Sequence, residues 1–136
     1  MERKTVTLKA PSIFGFDKSK DGWTLVENAA CSGTETLELV AVLREDESFV
    51  DGDTLLERAR EQGNRAGQLH AEQLLRQQDE MAEWREYYLV FPGTIWRRPR
   101  GSLCVPYLVW GGERWWLGWR WLDYDWARDV RLVRFC

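Results

Sequence analysis

Six of the nine tryptophans fall between Trp110 and Trp126, and this crowding constrains the chain more than any other feature. Indole is large and rigid, so such a cluster either fills a core or makes a binding surface. The cluster sits on a strand pattern. Leu103–Trp110 and Arg114–Leu122 are aromatic and aliphatic runs separated by Gly111-Gly112, which reads as a β-hairpin with a two-residue turn. Side chains alternate between the faces of a strand. Trp115, Leu117, Trp119 and Trp121 therefore share a wholly apolar face, expected to be core. Arg114, Trp116, Gly118, Arg120 and Leu122 share the other face. With a two-residue turn, Trp116 faces Tyr107, Arg114 faces Val109 and Gly118 faces Val105. Pro106 cannot donate to a ladder, which places its strand at an edge or a bulge.

The rest of the chain supplies further strands and one helical stretch. Thr5–Lys9 alternates and stops at Ala10-Pro11, giving a short first strand near an edge. Gly22–Glu27 is a second strand, a turn follows at Ala29–Thr34, and Thr36–Arg44 has the apolar content of an interior strand. From Thr54 to about Gln78, Leu55, Ala59, Gly63, Ala66, His70 and Leu74 recur at helical spacing, with Asp53 as the expected N-cap. Gly63 and Gly67 cost such a helix about 1 kcal/mol each. With Ala59 and Ala66 they flatten the stripe, as suits one helix lying close on an aromatic sheet; the alternative is a break near Gly63. Tyr87–Phe91 is a strand ended by the turn signal Pro92-Gly93, Thr94–Arg97 is extended, and Val130–Phe135 is the last strand. The expected fold is a single α+β domain over residues 1–136, an antiparallel, Trp-rich β-meander sheet packed against one long amphipathic helix.

Charge narrows the function classes. Net charge is −3, yet residues 1–83 carry 10 basic and 17 acidic side chains while residues 84–136 carry 9 and 5. Every basic residue of the second part is arginine, which stacks on rings and grips planar anions. No run approaches the length of a membrane span, and no apolar stretch follows Met1 as a secretory signal requires. The cysteines Cys31, Cys104 and Cys136 form no paired motif, so a reducing cytoplasm is expected, without a structural metal or cofactor.

A search for chemistry returns little. His70 lies on the helical stripe without a neighbouring ligand, which favours a buried structural role. Asp123 and Asp125 resemble turn formers more than a carboxylate pair, and phosphate-binding glycine motifs are absent. The reading leans away from an enzyme. It favours a protein-binding module, an accessory, inhibitor or immunity-type protein of the sort mobile genetic elements carry, with a homodimer as one form of partner. Its surface would be Tyr107, Arg114, Trp116 and Arg120, since tryptophan, tyrosine and arginine dominate binding hot spots. The alternative for that face is cover by a neighbouring segment. Two other functions stay open: a small-molecule binder or enzyme with a Trp-lined pocket between helix and sheet, and a single-stranded nucleic-acid binder. The last would stack a base on Trp96 and hold phosphates with the turn Arg97, Arg98, Arg100.

Overall fold

The alternating runs all become strands, and most of them join one sheet that forks near its middle. A computed structural model describes residues 3–8, 14–29, 33–63 and 65–135. Its elements are β1 (Lys4–Leu8), β2 (Thr24–Asn28), β3 (Gly33–Ala41), β4 (Phe49–Val50), α1 (Gly52–Gln62), α2 (Gln68–Arg76), β5 (Tyr88–Val90), β6 (Thr94–Arg97), β7 (Leu103–Trp110), β8 (Trp115–Trp121), β9 (Trp126–Ala127) and β10 (Val130–Phe135). The expected stop at Ala10-Pro11, part of the turn at Ala29–Thr34, and Cys31 and Cys136 lie outside the described residues.

The main sheet runs β1-β3-β10-β5-β7-β8, antiparallel throughout except that β10 lies parallel to β5. That pair corrects the expectation of a purely antiparallel meander. It arises because the chain crosses from β9 back to β10 beside β5 instead of extending the hairpin. Both β5 and β6 pair with the same edge of β7, one after the other, since Leu89 opposes Leu108 and Trp96 opposes Cys104. Pro92-Gly93 therefore does not reverse the chain. It is a bulge between two collinear strands, and the sheet forks there: β5 continues to β10, and β6 continues to β2.

The α-helical stretch is two helices, not one. Gly63 ends α1 with φ +78°, a conformation that side chains resist. Arg65 makes a bridge to Arg134, the Ala66 N–H donates to Val133 O (3.1 Å), and the Gly93 N–H donates to Ala66 O (2.8 Å). The connector thus passes through the fork, between β10 and the bulge. There is no room for larger residues: a Cβ on Gly93 would lie 2.7 Å from Arg65 O and 2.8 Å from the Ala29 Cβ. Of the small residues that suggested a flat helix stripe, Ala66 and Gly67 belong to this passage, where a Cβ on Gly67 would lie 2.5 Å from Thr94 Oγ1, while Gly63 is required for its φ and not for space.

The passage sets the helices on opposite faces. Leu55, Leu56 and Ala59 of α1 pack with Val90, Val105, Val130, Leu132 and Trp126. Ala71 and Leu74 of α2 pack with Leu37, Leu89, Leu108, Trp115 and Val133. Asp51, not Asp53, caps α1, its Oδ1 accepting the Thr54 N–H at 2.8 Å. On the other face, the Gln77 amide donates to Thr5 O (2.9 Å) and Gln78 Oε1 accepts the Trp115 N–H (3.0 Å). The end of α2 thereby satisfies a backbone group on each outer strand of the main sheet, β1 and β8. Among the described residues no helix is long and apolar enough to cross a membrane.

Candidate functional site: the aromatic and arginine surfaces of β8

The hairpin loop has four residues, Gly111–Arg114, closed by the Gly111 N–H donating to Arg114 O (2.8 Å). Pairing is therefore offset by two from the two-residue expectation: Val109 opposes Trp116, Tyr107 opposes Gly118 and Val105 opposes Arg120. Arg114 belongs to the loop. The offset sets the Tyr107 ring on bare Gly118, where an added Cβ would lie 2.7 Å from Tyr107 Cζ. Which residues share a face is unchanged. Trp115 is buried, but Leu117, Trp119 and Trp121 are only half-buried, so that face is not the complete core expected of it.

The opposite face of the hairpin is open. Trp116 is 50% exposed, and the Arg114 guanidinium lies 3.6 Å above its ring. Arg120 lies among the rings of Tyr88, Tyr124 and Trp126, at 5.8, 5.6 and 4.8 Å, and donates to Asp125 O at 2.9 Å. Its Nε is shielded and has no protein acceptor among the described residues. Tyr107 stays a neutral phenol, because burial and the neighbouring Tyr88 raise its pKa against the opposing pull of Arg120. Tyr88, Tyr107, Arg120, Trp121 and Tyr124 border a concavity of about 530 Å³. Of the four hairpin residues singled out in the sequence, Trp116 and Arg114 are exposed and Tyr107 and Arg120 are half-buried.

The arginine turn is a second feature, at the opposite end of β7 from the hairpin loop. Arg98–Gly101 is closed by the Gly101 N–H donating to Arg98 O, and the Arg98 N–H donates to Ser102 O, both at 2.8 Å. Arg97 and Arg100 are exposed. Trp96 is not available for stacking: it is 1% exposed and its indole N–H donates to Gln68 Oε1 at 2.7 Å. It lies on the opposite face of β6 from the equally buried Ile95 and packs under the segment that carries Phe14, whose ring is 5.4 Å away. Two other indoles take its place beside the turn. The Arg98 guanidinium lies 5.3 Å from the Trp23 ring and 4.7 Å from the Trp121 ring. These three residues, with Asp21, Arg100 and Ser102, border a recess of about 430 Å³.

A buried polar network holds this recess in shape. Gln68, at the start of α2, accepts from both Trp96 Nε1 and Trp119 Nε1 (3.1 Å) and donates to Phe16 O (2.7 Å) and Glu72 (3.0 Å). Glu72 in turn accepts the Gly15 and Phe16 N–H groups at 2.6 and 3.3 Å. The segment 14–16 is thereby fixed to α2. Lys18 then reaches 4.5 Å above Trp23 and 4.8 Å above Trp119. Neither Trp23 nor Lys18 carries a local sequence signal for this role; a docked loop brings them in.

The remaining reactive groups lie elsewhere. His70 is 0% exposed, its Nδ1 accepts the Gly67 N–H at 3.0 Å, and burial holds its pKa down at about 4. The Cys104 thiol is buried and pushed up to about 11. Asp123 and Asp125 are exposed in the bend after β8, and among the described residues no cluster has the makings of a metal site. Compared with known families, curated proteins and solved structures, the chain matches none of them.

Proposed function

We propose that this chain is a non-enzymatic protein-binding module, and that an acidic partner docks on the open face of the β7–β8 hairpin around Trp116, Arg114, Tyr107 and Arg120. One observation carries the reading. Of the nine arginines from Arg85 to Arg134, only Arg134 reaches a carboxylate among the described residues. Of the earlier described cations, Arg3, Lys4, Lys18, Arg58, Arg60 and Arg65 do and Lys20, Arg44 and Arg76 do not. Arg85, Arg98, Arg114, Arg120 and Arg131 instead lie over aromatic rings. Stacking uses the flat face of a guanidinium and leaves its in-plane donors, apart from those that Arg120 and Arg131 give to backbone carbonyls, for an external acceptor. Exposed tryptophan beside such donors supplies the apolar area that a hot spot needs.

Photo-crosslinking from position 116 in the producing cell tests this. The expected result is an adduct with one acidic protein, lost when Arg114 and Arg120 are both changed to glutamate while the circular dichroism spectrum is kept. Equal capture by the charge-reversed variant, or capture of nothing, contradicts the reading. An adduct containing only a second copy of the chain replaces it with self-association.

A further inference from the structure

We infer that the recess between Trp23, Arg98 and Trp121 is a receptor for a small organic oxyanion, a carboxylate or phosphate monoester carried on a flat apolar body. Trp121 borders both this recess and the concavity beside Arg120, but Trp23 and Arg98 border only the recess and Trp116 borders neither, so the two readings are tested at different residues. Arg98 is the centre of the argument. Two indoles occupy its surroundings at 5.3 and 4.7 Å, and among the described residues its guanidinium has neither a hydrogen-bond acceptor nor a carboxylate within 4.0 Å. A planar fork of donors flanked by two indoles and left without a partner suits a bidentate oxyanion. Asp21, also on the recess, is paired with the Lys18 ammonium at 2.8 Å, which offsets that carboxylate's repulsion of an anion and leaves Arg98 and Arg100 to supply the positive charge.

The walls specify the rest of the ligand. Trp23, Trp121 and Pro99 are apolar, while Ser102 and Arg100 add donors on the same recess. Its volume of about 430 Å³ is within the range of small-ligand sites. Its parts are also fixed before any ligand arrives. The turn bearing Arg98 is closed by two backbone hydrogen bonds, and the loop leading to Trp23 is tied to α2 through Glu72 and Gln68. Pre-formed sites lose less to ordering on binding.

Isothermal titration of the whole chain tests the inference with five probes. Indole-3-acetate and adenosine monophosphate are the two ring-bearing anions, acetate and inorganic phosphate are their bare counterparts, and adenosine is the neutral ring. The expected result is that one ring-bearing anion binds at least roughly tenfold tighter than its bare anion, and that adenosine does not bind. Which one binds distinguishes carboxylate from phosphate. Arg98→Ala and Arg98→Lys should each weaken it by roughly tenfold or more, and Arg128→Ala should not. Arg98→Lys keeps a cation over the indoles, so it separates loss of the fork from loss of the fold. The inference is overturned by no binding of either ring-bearing anion, by equal binding of the bare anion, or by unchanged affinity in Arg98→Lys. None of these outcomes bears on crosslinking from position 116.

Discussion

Adjacent residues on β8 have opposite fates, and that contrast is the most local statement of how the hairpin works. Trp115 is 2% exposed between α2 and the sheet, while Trp116 stands half out of the surface on the other face. Trp115→Ala should cost about 3–5 kcal/mol, as removal of a large core aromatic does. Trp116→Ala should change stability by no more than about 0.5 kcal/mol, as expected of a surface position. Urea unfolding of the two variants checks this, and similar losses would show that Trp116 is held in a packed layer. The alternation that separates these residues is legible in the sequence, because it depends only on the period of a strand. The pairing across the hairpin is less so. Gly111-Gly112 is the usual signal of a two-residue turn, but here Gly112, at φ +96°, serves a four-residue loop. The choice is made by contacts farther up the ladder, where the Tyr107 ring needs the space over Gly118.

At the scale of elements, the connector between α1 and α2 decides the architecture. It sends the chain through the fork in the sheet and so puts one helix on each face. Gly63→Ala tests it in a simple way. In one continuous helix the change would stabilise by about 1 kcal/mol, whereas at φ +78° it should destabilise by about 1–2 kcal/mol. A higher midpoint for Gly63→Ala in thermal or urea unfolding would contradict the break. The sequence hides this feature for a physical reason. Ala59, Gly63, Ala66 and His70 fall at helical spacing, and the small residues required to pass Gly93 and Ala29 look like the stripe of a closely packed helix. The strands were readable from their composition and alternation. The bulge at Pro92-Gly93 was not, since the same residues commonly reverse a chain. The recess at Trp23 was hidden because its loop is positioned by Glu72, some fifty residues away and without a local pattern.

The whole molecule carries a pH signature from its single histidine. Burial lowers the folded-state pKa of His70 from 6.5 to about 4, so protons bind the unfolded chain more readily. Its contribution is fully present above pH 6.5 and is lost as the pH falls through 6.5 towards 4, by up to about 3 kcal/mol. Glu47, held down at about 2 by the Arg58 guanidinium and the Arg44 N–H, adds a loss only below about pH 4.5. His70→Gln keeps an acceptor for the Gly67 N–H, as glutamine does at this position of a capping box, and removes the titration. Its stability should therefore be flat between pH 6.5 and 4.5 where the parent declines; parallel curves would place the acid sensitivity elsewhere. The same molecule-wide view bears on the partner. Two copies meeting face to face at the hairpin would oppose Arg114 and Arg120 with their own duplicates, so the surface favours an acidic protein over a second copy. Light scattering of the purified chain during size-exclusion chromatography measures this most directly. The prediction is a monomer of 16.1 kDa at every concentration tested. A dimer that Trp116→Ala dissociates would contradict the claim that this face is kept open for an acidic partner.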